Sequence, residues 1–172
     1  MGSSPATPMG IAIRSAAAAD AADLARIYNH YVAHTYASFE TAPVTATDMS
    51  SRLAQVLGAP LPWLVAETAG RVVGYAYAAR WKGRAAYRHS VESTVYLAAD
   101  NVGKGVGLRL YVALIEALRT ASAHTVIGGI ALPNEPSVRL HEKLGFAKVA
   151  QFHQVGYKFD RWIDVGYWQL LL

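Results

Sequence analysis

Residues 101–108, Asn-Val-Gly-Lys-Gly-Val-Gly-Leu, set Gly103, Gly105 and Gly107 at alternate positions just ahead of a run with helical periodicity. Glycines at a strand-to-helix turn let the backbone approach a ligand closely. Successive N–H groups there converge on phosphate oxygens, helped by about half a unit of positive charge at the helix N-terminus. The stretch Gly103, Lys104, Gly105, Val106, Gly107 and Leu108 therefore reads as a pyrophosphate cradle, although the same glycines also suit a connection that merely turns the chain. Two other phosphate motifs do not fit. Lys104 is followed by Gly105 rather than the Ser or Thr of a P-loop, and Leu108 stands where a dinucleotide fingerprint needs its third glycine.

Upstream, Glu92 stands in the otherwise largely apolar segment Val91 to Leu97. Desolvation in such a strand raises a carboxyl pKa toward the range useful to a general base acting directly or through water. By two-residue alternation Ser90, Glu92, Thr94 and Tyr96 share one side, so a solvent-facing glutamate is the competing reading. Asn134, just before a helix carrying His141 and Lys143, suits an N-cap or a ligand contact. His141 suits a proton donor or a packed core residue. Lys82, Arg84 and Tyr87 precede the Glu92 strand, and their types suit a carboxylate or phosphinate as well as an ordinary surface. His30 and His34 are spaced to share a helix face, as in zinc peptidases. Tyr31 stands where the catalytic glutamate of that motif would be and no third ligand lies nearby in sequence, so no metal is expected.

The elements that must position these residues follow from periodicity. Ile11–Arg14 reads as a strand, and Leu24, Ile27, Tyr28, Tyr31 and Val32 recur at helical spacing up to His34. Thr45 or Thr47 caps a second helix stopped by Gly58 and Pro60. Trp63–Glu67 and Val72–Ala79 form a hairpin about Ala69 to Arg71, and Val91–Leu97 follows as a third strand. A helix from near Gly105 and a strand Thr125–Ala131 complete a strand-helix-strand unit. A helix opened by Pro136 runs through Leu144 to a stop at Gly145, and strands Ala147–Val155 and Val165–Leu171 end the chain. The order is mixed α+β, without repeats.

With 172 residues, 53% of them hydrophobic and 16% charged, the chain can bury one substantial core. Nothing approaches the ~20 apolar residues of a membrane span, and the opening lacks the features of a secretory signal, so a cytoplasmic protein without membrane partners is expected. Residues 1–10 read as a disordered leader, which leaves 11–172 as a single domain. The absence of cysteine excludes disulfides, thiolate metal sites and an acyl-cysteine route. The net charge of +4 is scattered singly rather than striped, which argues against nucleic acid and is compatible with a small polyanion or with solubility alone.

The glycine turn also resembles the cofactor motif of the GNAT superfamily of acyl-CoA N-acyltransferases, Arg/Gln-x-x-Gly-x-Gly/Ala, with Val102 in the Arg/Gln position. Asn134 to Phe146 resembles that family's second signature, with His141 where many members carry tyrosine. Arg84 to Leu97, Ile27 to Val32 and Val155 to Val165 are similar to the phosphinothricin and methionine sulfone or sulfoximine acetyltransferase branch. The resemblance implies the GNAT fold, a central mostly antiparallel sheet flanked by helices, and acetyl-CoA as co-substrate. It implies acetyl transfer to the amine of a small amino-acid analogue, with Glu92 as general base and His141 as a candidate acid. Val95, Tyr96 and Leu97 would pair with the pantetheine arm, Gly103 to Leu108 would hold the pyrophosphate, and Asn134 and Lys143 would lie on the cofactor. Phe39, Lys82, Arg84, Tyr87, Glu92, Ser93 and Thr94 would line the acceptor, and the protein would be a homodimer. Another acceptor amine (a polyamine, an aminoglycoside, a protein N-terminus) or a non-catalytic acetyl-CoA sensor remain alternatives.

Overall fold

A computed structural model describes residues 10–172, so all but the last residue of the expected leader lie outside the described residues. Seven strands join one sheet in the order β1-β2-β3-β4-β5-β7-β6. They are β1 (Ala12–Ser15), β2 (Trp63–Thr68), β3 (Arg71–Arg80), β4 (Ser90–Leu97), β5 (Thr125–Leu132), β6 (Ala147–Lys158) and β7 (Arg161–Leu171). Every neighbouring pair is antiparallel except β4 and β5. The mixed, mostly antiparallel α+β architecture is as expected.

Helices α1 (Ala21–His34) and α2 (Ala46–Gly58) cover one face. Their apolar stripes, Leu24 and Ile27 on α1 and Met49 and Leu53 on α2, pack with Trp63, Val65 and Tyr75. Thr45 is the N-cap of α2: its hydroxyl accepts from the Asp48 N–H while the Asp48 carboxylate accepts from the Thr45 N–H. Helix α3 (Val106–Thr120) lies on the other face, with Leu110, Tyr111, Leu114 and Leu118 against Ala76, Ala78, Val91 and Val126. Helix α4 (Glu135–Lys143) follows β5.

The last two strands are longer than expected. β6 and β7 continue to a two-residue turn at Phe159-Asp160, both at positive φ (51° and 55°), closed by the pair Lys158 and Arg161. Two left-handed residues give the twist that matches a hairpin, but Phe-Asp lacks the glycine that usually marks such a turn. Among the described residues no helix is long and apolar enough to cross a membrane.

Candidate active site

Strands β4 and β5 run parallel for only three paired positions, Ser90 with Thr125, Val91 with Val126 and Glu92 with Ile127, after which they part. β5 instead pairs along its whole length with β7. The Ala98 N–H donates to Val73 O and the Trp81 N–H to Ser90 O. By antiparallel alternation, Glu92, Thr94 and Tyr96 then turn their main-chain groups toward β3, while Ser93, Val95 and Leu97 turn theirs into the gap. An extended ligand entering the gap meets a strand edge. Tyr96 is thus removed from the expected backbone set. Its hydroxyl donates to Ala37 O. The Leu97 edge is already engaged, since the Tyr31 hydroxyl donates to Leu97 O at 2.7 Å and accepts from the Leu97 N–H at 3.3 Å.

At the far end of the gap lies the glycine turn. Gly103 and Gly105 take φ of 77° and 79°, and a Cβ at either would point into open space. Gly105 is the N-cap of α3, whose first turn carries no acidic residue. The first backbone bond back into the turn is from Arg109 N–H to Gly105 O, so the N–H groups of Val106, Gly107 and Leu108 are uncommitted to the helix. Gly107 is buried, and its ideal Cβ would stand in ordinary contact with Leu97 at 3.4 Å and Leu140 at 3.6 Å, so the helix starts beside β4. These residues fit a pyrophosphate. Lys104 and Val102 are exposed beside it. Asn134 caps α4, its Oδ1 accepting from the Ser137 N–H at 3.3 Å, and Lys143 is exposed at the helix end.

Glu92 is half-buried on the α1 and α2 side of the sheet. Burial raises its carboxyl above the ordinary glutamate range, and the nearby Lys82 ammonium works in the opposite direction. An ideal Cβ on Gly129 of β5 would stand 3.3 Å from Glu92 Oε1 and 3.2 Å from the Tyr167 ring. A Cβ there would press on the carboxylate and the ring, which would each have to give by a few tenths of an ångström. Around it Thr94 adjoins the Tyr77 hydroxyl, and the Tyr167 ring meets Trp81 and Phe152 edge-on.

His141 lies on the opposite face, 4% exposed. An ideal Cβ on Gly128 would come within 2.5 Å of its Nε2. Its Nδ1 is 2.7 Å from Ser137 O, a carbonyl that can only accept, so Nδ1 carries the proton and Nε2 accepts from the Tyr111 hydroxyl at 2.9 Å. Tyr111 in turn bonds the Ser93 hydroxyl. Burial lowers the imidazole pKa, which keeps the ring neutral at physiological pH.

Of the expected acceptor residues, Lys82, Glu92 and Thr94 are brought together. Ser93 is not: its side chain faces α3 and Tyr111. Arg84, the N-cap of the short turn Ala85–Tyr87, and Tyr87 at its end are exposed, and Phe39 rests against Gly156 of β6. His30 and His34 lie side by side on α1 with ring centroids 5.2 Å apart and the rings tilted 51° to each other. Tyr167, Gly128 and Gly129 escaped notice in the sequence, and Tyr111 reads there only as part of the apolar face of the helix after the glycine turn. The adjacent glycines inside a strand were the available signal, since such glycines mark close approach.

The family described as acetyltransferase (GNAT) domain matches residues 13–166. The chain is 43% identical over 159 residues, 92% of its length and 86% of the relative's, to a phosphinothricin N-acetyltransferase of Streptomyces viridochromogenes. It is 42% identical over 165 residues to an L-methionine sulfoximine/L-methionine sulfone acetyltransferase of Salmonella typhimurium, covering 93% and 94% of the two chains. A GNAT superfamily phosphinothricin acetyltransferase from Sinorhizobium meliloti, solved in complex with acetyl-CoA, superposes with a TM-score of 0.92 at 33% identity, covering 95% and 89%.

Proposed function

The chain belongs to the GNAT acetyltransferase family and is an acetyl-CoA-dependent N-acetyltransferase, and from that premise we propose that it acetylates the α-amine of a small amino-acid analogue such as phosphinothricin, methionine sulfoximine or methionine sulfone. The acceptor class rests on the activities named for two relatives of 42 and 43% identity. The observation that carries the mechanism is Glu92: a half-buried carboxylate with a raised pKa, placed where β4 and β5 part.

Acetyl-CoA supplies an acetyl group on a thioester, which an uncharged amine can attack. Glu92 takes the proton of the acceptor ammonium, directly or through one water, and a raised pKa makes it a better-matched base. The new N–C bond forms as the C–S bond breaks, and coenzyme A leaves as the thiol. Val95 and the edge near Leu97 align the pantetheine arm as an added strand. The turn Gly103 to Leu108 holds the pyrophosphate, with Asn134 and Lys143 beside the cofactor. Ser93, Tyr111 and His141 form a hydrogen-bonded file on the opposite side of the sheet from Glu92, in which the Tyr111 hydroxyl donates to a neutral imidazole, so His141 as it stands holds Tyr111 and Ser93 in place rather than carrying a proton to give away. Lys82, Thr94 and Phe39 line the acceptor pocket, and Arg84 and Tyr87 offer a carboxylate partner and an aromatic wall.

The working form is a homodimer. Val149, Phe152, Val155, Tyr157 and Trp162 on β6 and β7 are each more than half exposed, an apolar load at the sheet's edge that a second copy would cover.

Coenzyme A release measured with acetyl-CoA and a panel of these analogues, polyamines and peptides tests the reading. Selective turnover of the analogues is the expected result. Turnover of polyamines or peptides in their place would overturn the acceptor class.

A further inference from the structure

The segment that leads from α1 to α2 carries Phe39, and its backbone is fastened by side chains of the sheet and helices. The Tyr96 hydroxyl donates to Ala37 O at 3.0 Å, and the Ser38 hydroxyl bonds that of Tyr28 at 2.7 Å. Arg52 of α2 holds the Glu40 carboxylate at 2.6 Å. The most unusual fastening comes from β6. Lys158 is 3% exposed, and its ammonium donates to Thr35 O at 2.8 Å and to Ser38 O at 2.6 Å.

Buried lysines ordinarily pair with a carboxylate. Here the counterpart is a pair of carbonyls, one of them on Thr35, the C-cap of α1. A helix C-terminus carries about half a unit of negative charge, so the ammonium compensates a dipole end as well as two orphan acceptors. The Phe159 ring, 5.0 Å from Nζ, closes the remaining side. Two residues earlier on β6, Gly156 leaves bare backbone on which the Phe39 ring sits, and any Cβ there would occupy the space of that ring. Lys158 and Gly156 therefore act on one segment together, the first gripping its carbonyls and the second seating its aromatic side chain.

We propose that Lys158 is a positioning residue for the acceptor pocket, clamping residues 35–38 to β6 so that Phe39 is held in place on Gly156. The inference deepens the acceptor reading above and rests on Phe39 belonging to that pocket. In the proposed function acetyl-CoA lies along Val95 and the start of α3, neither of which bonds Lys158, so Lys158 governs the acceptor KM and leaves the affinity for acetyl-CoA alone. Arginine at this position still donates to carbonyls, whereas methionine keeps the stem without the donors.

The test compares Lys158→Met, Lys158→Arg and Phe39→Ala in the full chain. It reads amide hydrogen exchange over residues 35–41, the acceptor KM, kcat, and acetyl-CoA affinity by calorimetry. Losing a charged hydrogen-bond donor should speed exchange in the segment about tenfold or more in Lys158→Met and raise the acceptor KM by a similar factor. Acetyl-CoA affinity should stay within about twofold in that variant, and Lys158→Arg should recover most of the KM. Unchanged exchange in the segment overturns the clamp whatever the enzyme acetylates. Faster exchange with an unchanged KM in Lys158→Met, while Phe39→Ala raises the KM, overturns the link from clamp to pocket. If Phe39→Ala leaves the KM alone, Phe39 is no acceptor contact and the positioning role of Lys158 is overturned even where the exchange result upholds the clamp, while the acceptor class itself stands or falls on the turnover panel.

Discussion

Glu92 and His141 lie on opposite faces of the sheet, each in a space that one of two adjacent β5 glycines leaves open, Gly129 for the carboxylate and Gly128 for the imidazole. The proposed base and the imidazole thus flank the line along which β4 and β5 separate, and neither can reach the other.

Replacing Glu92 by glutamine should lower kcat by about 10²–10⁴ while calorimetric affinity for acetyl-CoA is retained. The base works deprotonated, so the rate falls as pH drops through its raised pKa. The acid limb of kcat/KM should lie above the ordinary glutamate value of ~4.3. Lys82→Met removes the cation that pulls the pKa down, and should move that limb further up. A limb that stays put in Lys82→Met would dissociate it from Glu92.

His141 yields a stability prediction of its own. Burial lowers its folded pKa below the unfolded value of ~6.5, so the unfolded chain binds the proton more readily. The fold therefore loses stability as pH falls from about 6.5 toward the lower folded pKa. Melting temperatures between pH 7.5 and 5.5 should show that slope, and His141→Gln should flatten it.

The two β5 glycines should behave differently from each other. Gly128→Ala drives a methyl into a buried imidazole and should cost about 1–3 kcal/mol, read as a lower melting temperature. Gly129→Ala meets Glu92 and Tyr167 at 3.2–3.3 Å, where the side chains have more freedom, and should depress kcat more than stability. Equal losses of stability and rate in both variants would contradict the assignment.

At the glycine turn, Gly105→Ala places a Cβ on a left-handed residue, at a cost of about 1–2 kcal/mol. Acetyl-CoA affinity should fall about tenfold with little change in the acceptor KM, since the strain sits at the pyrophosphate end. Calorimetry with acetyl-CoA and steady-state kinetics separate the two.

Sedimentation should report a dimer, and Trp162→Glu combined with Val155→Glu should shift it toward monomer by burying charge in the contact. A monomeric parent protein would remove the dimer reading.

Much of this molecule was legible in its sequence, because the stripes of α1 and α2 and the alternation of β4 are strong periodic signals. The Glu92 side of β4 was readable from parity alone. What parity could not supply was the partner face: the placement of α4 depends on tertiary packing, so His141 stood as an acid without a side. Tyr111 fell on the apolar stripe of α3 and read as core, which it is, while its hydroxyl has a separate use. Lys158 read as one more scattered cation, because the carbonyls that accept its protons lie more than 100 residues away in the chain. The β6–β7 turn was missed for the opposite reason, a local conformation formed by residues that seldom adopt it.

The three-rung pairing of β4 with β5 leaves the sheet with an unpaired strand edge in its interior rather than at its rim. An exposed edge of that kind ordinarily invites another protein's strand and leads toward aggregation. Here β5 continues on the far side, α3 starts against Leu97, and the Tyr31 hydroxyl occupies the last donor and acceptor. Any chain that pairs with this edge has to enter between two strands of the same sheet rather than add at its rim. The fold thereby keeps the adhesiveness of a free β-edge while withholding it from the outer rim, where strand-by-strand growth between molecules begins.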